Sequence, residues 1–350
     1  MHSPRSAPRG QSADRRSQRA LTVPGTHLYH GHSDNVFAVA WSPDGQYIAS
    51  GSRDTTVRLW HAATGTCEYI YRGHSYSLLS VAWSPDGRRV ASGDTGGTVR
   101  VWDALSGEEI VVYRGHRRFV RSVAWSPDGG SIVSGGDFGD STVQVWDAAT
   151  GQVQYIHDGQ YRNFAARWSP DGSRIAAANF DGTVHVWEAI SGHDILIYDW
   201  HAGPVYTVAW SPDGKSIVSG GQDATVTVWD AATGNVLCFY DGHHGSVKAV
   251  GWSPGGVNIA SGSDDATVQV WNGMTGELVA MYKGHTRWVR TLDWSPDGEF
   301  IASASDKDAP TGRNELRPYN GMNCAPTYNG RPCFPSSPSI QDISPRWMEQ

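Results

Sequence analysis

The block Val-Ala-Trp-Ser-Pro-Asp-Gly, first met at 39–45, returns in closely similar form through most of the chain. Its tryptophan falls at Trp41, Trp83, Trp125, Trp168, Trp210, Trp252 and Trp294, in steps of 42, 42, 43, 42, 42 and 42 residues. A period of that size makes an array in which each copy buries its apolar face against its neighbours. The repeat also orders the search for function. A residue present in every copy belongs to the scaffold, and one that varies between copies is where function can reside.

A length of 350 residues would ordinarily suggest two domains, but the copies run almost without a gap from about 26 to 306 and so form one unit. Glycine (41) and tryptophan (16) are abundant and only 18% of residues are charged, which fits many short strands joined by tight turns. The formal charge of -7 argues against a general nucleic-acid binder, which would carry a basic surface. Cys67, Cys238, Cys324 and Cys333 have the spacing of neither a disulfide framework nor a zinc site. A reducing, cytoplasmic setting is expected, with no cofactor and no metal. No apolar run approaches membrane-spanning length. The first twenty residues carry Arg5, Arg9, Arg15, Arg16 and Arg19 without an apolar core, and read as a disordered basic arm ending near residue 25.

The first copy shows how one repeat folds. Val36–Trp41 is a short apolar run closed by Ser42-Pro43-Asp44-Gly45, a strong turn signal. Residues 47–50 predict a second strand, 56–60 alternate as a half-buried third, and Cys67–Tyr71 make a fourth. Four short strands and no helix make an antiparallel meander, and such sheets set radially leave few exposed edges.

The pattern resembles the WD40 repeat family. Gly-His stands at Gly31-His32, Gly73-His74, Gly115-His116, Gly242-His243 and Gly284-His285, and Trp-Asp at Trp102-Asp103, Trp146-Asp147 and Trp229-Asp230. Trp60-His61, Trp187-Glu188 and Trp271-Asn272 are variants. The resemblance covers about 80% of the chain and implies an all-β, seven-bladed WD40 β-propeller of four-stranded antiparallel blades over 26–321. Copies this regular are similar to propellers often found in bacterial proteins.

Each copy offers His, Ser, Asp and Trp at fixed offsets. The full sets are His32, Ser50, Asp54, Trp60; His116, Ser134, Asp140, Trp146; His201, Ser219, Asp223, Trp229; and His243, Ser261, Asp265, Trp271. A catalytic triad would occur once, in a pocket; a set that recurs is a hydrogen-bond network inside each blade, as the family resemblance also implies. In copy two the Asp position is Gly96, with Asp94 nearby. In copy four Asp158-Gly159 stands where Gly-His is expected and Ala177 replaces the Ser, so both partners are lost together, and Arg167 precedes the tryptophan where most copies have Ala. That blade is expected to be locally less stable, or its altered surface to serve contact.

The family closes its ring by combining strands from both chain ends. Residues 26–30 match the fourth-strand slot filled by 278–283 in the sixth copy, and should complete the seventh blade. Copy seven departs after Asp306, with a faint third-strand echo at 316–319 that contains Pro318 and so fits only an edge or an irregular strand. Residues 322–350, rich in Pro, Ser and Gly, read as a disordered tail.

The resemblance also implies which slots face the top of the ring: one residue before the first strand, one in its first half, and one in the turn after the second strand. These hold Asn35, Phe37, Arg53; Ser77, Leu79, Thr95; Phe119, Arg121, Gly139; Arg162, Phe164, Phe180; Pro204, Tyr206, Gln222; Ser246, Lys248, Asp264; and Trp288, Arg290, Asp306. Among them Phe119, Arg121, Arg162, Phe164, Phe180, Tyr206, Lys248, Trp288 and Arg290 make an aromatic and basic arc of the kind that contact surfaces concentrate. The expected function is a non-catalytic interaction scaffold, a monomeric propeller that binds a protein or extended peptide, acidic or phosphorylated, on this face. The alternatives are side chains that merely plug the channel, a regulatory or sensing domain of a larger signalling protein, a nucleic-acid surface, and a propeller enzyme, for which the slots offer few carboxylates.

Overall fold

The computed structural model describes residues 28–137, 139–158 and 162–306, together with the backbone of a last strand, Leu316–Asn320. Every regular element among them is a β-strand. The first blade is β1 (Val36–Trp41), β2 (Tyr47–Ser52), β3 (Val57–His61) and β4 (Cys67–Tyr71), hydrogen-bonded in that order and antiparallel throughout. The turn after β1 forms because Gly45 donates its N–H to the Ser42 carbonyl (2.9 Å) and takes φ 70°, a conformation that glycine reaches without strain. Ser42 Oγ and the Gln46 N–H both bind Asp44 Oδ1, which fixes the turn from the side.

The same four-stranded meander recurs at 78–113, 120–158, 163–198, 205–240 and 247–282. The expectation of seven four-stranded blades is corrected here: among the described residues six blades are complete, and copy seven supplies a sheet of three strands, Val289–Trp294, Phe300–Ser305 and Leu316–Asn320. Its third strand arrives after the segment 307–315, which replaces the short turn of the other copies. It pairs antiparallel with its neighbour at the outer edge of the sheet, Ala302 opposite Pro318, as a strand containing proline requires. Among the described residues the chain beginning contributes an isolated β-bridge at Tyr29 and no fourth strand, and residues 26–27 of the expected closing segment lie outside them. The arm 1–25 and the tail 322–350 lie outside the described residues.

The apolar clusters sit between blades rather than within them. Ala49, Val57, Leu59 and Tyr71 of the first blade pack with Leu78, Val81, Trp83, Val90 and Trp102 of the second. Tyr29, Val36, Val39, Trp41, Ile48 and Trp60 join the first blade to Ala302 and Ala304 of the three-stranded sheet. Each blade thus has both faces covered only when the ring is closed. The alternating strands supply this directly, one face of each sheet meeting the next blade and the other the previous one. The first strands stand innermost and line a central channel of about 920 Å³.

Candidate functional site

The repeated polar sets are buried networks. In the first blade His32 Nδ1 lies 2.9 Å from Asp54 Oδ2 and Nε2 lies 2.7 Å from Ser50 Oγ, while the Trp60 indole N–H donates to the same Oγ (2.7 Å). Burial lowers the His32 imidazole below its ordinary pKa, and the neighbouring Asp54 only partly opposes this. A neutral ring then has one consistent arrangement: Nδ1–H donates to the carboxylate, and Nε2 accepts from the serine hydroxyl. Burial alone would raise the Asp54 carboxyl, but the hydrogen bond from His32, with those from Thr56 and the Ser33 N–H, holds it well below the carboxylate range.

The sets His116, Ser134, Asp140, Trp146; His201, Ser219, Asp223, Trp229; and His243, Ser261, Asp265, Trp271 repeat this geometry. The second blade has a complete network too. Asp94, two residues before the expected position Gly96, binds His74 Nδ1 at 2.7 Å, and Ser92 receives the Trp102 N–H at 3.3 Å. In the fourth blade the network is absent: Asp181 is exposed and bonds only Thr183, and the buried Trp187 indole N–H has no partner among the described residues. Gly159 lies outside the described residues. Sequence reasoning missed His157, which stacks on Trp187 with ring centroids 4.3 Å apart and reaches Asp194 Oδ1 at 3.1 Å. Tyr71, Tyr113, Tyr198 and Tyr240 hold the same place over Trp102, Trp146, Trp229 and Trp271. The signal was present: a Tyr ends the fourth strand of the other copies, and His stands there once.

The variable slots owe their placement to a feature that the sequence did not reveal. In all seven copies the pairing of the first and second strands slips by one residue near the start, between Val36 and Ala38 in the first. The extra residue is Phe37, Leu79, Arg121, Phe164, Tyr206, Lys248 or Arg290. A β-bulge leaves its extra residue out of the ladder and redirects the side chain. All seven line the channel. The other two slots are tied together: the N–H of the turn residue donates to the carbonyl of the residue before the first strand, as Arg53 does to Asn35 (2.8 Å), Phe180 to Arg162 (2.9 Å) and Asp306 to Trp288 (3.1 Å).

That bond corrects the third blade. There Asp137, not Gly139, donates to the Phe119 carbonyl (3.0 Å) and is the turn-slot residue. Two extra residues separate Ser134 from Asp140, so counting back from Asp140 lands in the insertion. Asp137 is a buried carboxylate that accepts from Arg121 Nε at 2.7 Å, with Arg162 Nε 3.9 Å from its other oxygen.

Four of the predicted residues form one contact chain. Arg121 lies over the Phe164 ring (5.8 Å to the centroid), Phe164 meets Tyr206 edge-on (5.1 Å), and Lys248 Nζ sits 3.4 Å from the Tyr206 centroid. Phe180 joins through Phe164 (6.2 Å) and carries Arg162 at 5.0 Å. Trp288 and Arg290 form a second group, 4.8 Å apart, in which Arg290 grips Asp306 with two bonds of 2.8 and 2.7 Å. Asn35 donates to the same carboxylate (3.2 Å). Phe119 is half-buried beside the third bulge. Lys248 pairs with Asp264 at 3.4 Å. Burial pushes its ammonium group below the usual value, Asp264 opposes this, and repulsion from Arg290 and Arg121 adds to it. The arc is therefore aromatic with its cations largely matched by Asp137, Asp264 and Asp306, and less positive than its sequence suggested. Among the described residues no group of three His, Cys, Asp or Glu side chains could hold a metal ion, and no helix is long and apolar enough to cross a membrane.

A rigid ring of repeated sheets with variable side chains collected at one mouth defines a class, the repeat β-propeller that serves as a protein-interaction scaffold. The chain belongs to the WD40 family (WD domain, G-beta repeat), whose profile matches residues 25–61, 65–103, 107–147, 155–188, 192–230, 234–272 and 276–309. Curated relatives match over a single repeat. Protein Mut11 of Chlamydomonas reinhardtii is 60% identical over 40 residues, 11% of each chain. The ribosome biogenesis protein BOP1 of Rattus norvegicus is 55% identical over 40 residues, 11% of this chain and 6% of that protein. Its homologue in Drosophila virilis is 52% identical over 40 residues, 11% of this chain and 5% of the relative. The matched stretch is thus about a tenth or less of each relative's length, and nothing in these matches supports a bacterial kinship.

Proposed function

We propose that this scaffold binds an extended segment of a partner protein across the mouth of the channel. The seven bulges carry the reading: each places at the channel wall, outside the ladder, a side chain whose identity varies between copies. The aromatic run Phe164, Tyr206 and Phe180 supplies the anchor surface, and Phe180 and Trp288 are 46% and 50% exposed, enough to gain by leaving water. The carboxylate partners Asp137, Asp264 and Asp306 change the charge reading. An acidic or phosphorylated residue in the partner binds by exchanging places with one of them. Aromatic contact should therefore dominate and charge should select. Affinity capture with the wild-type ring, followed by mass spectrometry and peptide mapping, identifies the segment. Phe164→Ser with Tyr206→Ser should then abolish its capture while the melting temperature stays within a few degrees. Undiminished capture by that folded double variant would overturn the reading and move the site to another face of the ring.

A further inference from the structure

Deeper in the channel, the residue before the first-strand tryptophan lines the wall in every copy. It is Ala40, Ala82, Ala124, Ala209 or Gly251 in five of them, small side chains that keep the bore open. The other two copies have Arg167 and Asp293. These are opposite charges inside the ring, placed at equivalent positions of blades that are not neighbours. Asp293 attracts Arg167, yet the two do not approach within the 4.0 Å of an ion pair. Arg167 Nη1 donates to the Ala166 carbonyl (2.9 Å), its one side-chain hydrogen bond among the described residues. A guanidinium has five N–H donors, so most of its capacity faces the channel. Asp293 Oδ2 accepts the Trp41 N–H at 2.8 Å, which leaves lone pairs over.

Two opposite charges that face one channel, partly covered and not paired with each other, are open to a ligand that satisfies both. We propose that the channel holds a small amino carboxylate, its carboxylate on Arg167 and its ammonium group on Asp293. An Arg fork suits a planar carboxylate, and a single carboxylate on the opposite wall suits a cation with three donors. The site is separate from the aromatic surface that contacts the partner protein, so loss of either leaves the other testable.

Titration calorimetry with glycine, β-alanine, 4-aminobutyrate and 6-aminohexanoate, and with butyrate as a carboxylate lacking the ammonium group, tests this directly. One chain length should bind best, because the two groups stand at set positions on the wall of a rigid ring. Arg167→Ala should abolish binding of every member. Asp293→Ala should lower the best amino carboxylate to the level of its plain counterpart, a loss of about tenfold or more. Both variants install the alanine already present in four blades, and Asp293→Asn removes the charge while keeping the shape if Asp293→Ala fails to fold. Absence of saturable binding by all members into the millimolar range would overturn the proposal, as would binding that survives Arg167→Ala. Equal affinity for butyrate and 4-aminobutyrate, unchanged in the Asp293 variants, would also overturn it.

Discussion

At the residue scale, partly buried carboxylates push this protein's pH dependence in opposite directions. Asp223 accepts from His201 Nδ1 (3.0 Å), the Ala202 N–H (3.0 Å) and Thr225 Oγ1 (2.8 Å). Burial would raise its carboxyl, but His201 and Thr225 outweigh that and hold it well below the ordinary range. Its contribution to stability is therefore present above the unfolded carboxylate pKa and is lost as pH falls through the lower folded value. Asp293 behaves in the opposite way. Burial in the channel wall pushes it from 3.8 up to about 6, against the Trp41 N–H and Arg167. That contribution is full below 3.8 and disappears as pH rises through about 6. Asp293→Asn should thus gain on the wild type between pH 4 and pH 7 in urea midpoint, and a constant difference would refute the assignment. Asp223→Ala should cost about 1–3 kcal/mol in urea unfolding by leaving His201 short of a partner. Asp181→Ala, at an exposed position without a histidine, should cost clearly less. Comparable losses in the two variants would count against the network. The sequence told much of this, because a set repeated in four copies declares itself as scaffold. It left two roles unassigned: Asp94 reaches His74 from the strand end of a turn of ordinary length, and Asp137 takes the turn slot because two extra residues lengthen the third-blade turn.

At the scale of the element, the short strands and their turns were legible from alternation and from Ser-Pro-Asp-Gly, which is a local signal. The bulge was not, because an extra residue between Val36 and Ala38 leaves the run Val-Phe-Ala-Val-Ala-Trp looking like an ordinary strand. Only pairing with the second strand exposes the slip. The turn between the second and third strands carries a small strain that can be relieved. Ala266 holds φ 66° and Ala224 φ 65°, where Gly97 and Gly182 sit at φ 88° and 93° in other blades. A left-handed conformation costs a residue with a Cβ about 1–2 kcal/mol, and glycine's extra unfolded-state freedom gives back about 0.5–1 kcal/mol of that. Ala266→Gly should therefore stabilise the protein by up to about 1 kcal/mol in equilibrium denaturation, and a loss of that size would show the turn to be unstrained.

At the scale of the whole molecule, the ring is closed through its thinnest sheet. Tyr29 is buried against Trp60 (5.8 Å between centroids) and gives its hydroxyl to the Ala62 carbonyl (2.8 Å), so the chain beginning is held at the junction with the three-stranded sheet. Deleting residues 1–20 should leave the melting temperature unchanged, while deleting residues 1–30 removes Tyr29 and should lower it sharply; equal melting temperatures would reject closure by this segment. The repeated array was readable from the period and the family resemblance from Gly-His and Trp-Asp, whereas the lack of a fourth strand among the described residues depended on where a divergent copy stops pairing. The bulges have a wider consequence for how such a ring can change. Because the extra residue at each bulge takes no part in the ladder, its identity is free of the register that holds the blade together. The mouth therefore behaves as a row of interchangeable sockets: Phe37, Leu79, Arg121, Phe164, Tyr206, Lys248 and Arg290 are one set of insertions, and a library varied only there should yield folded rings with new specificities.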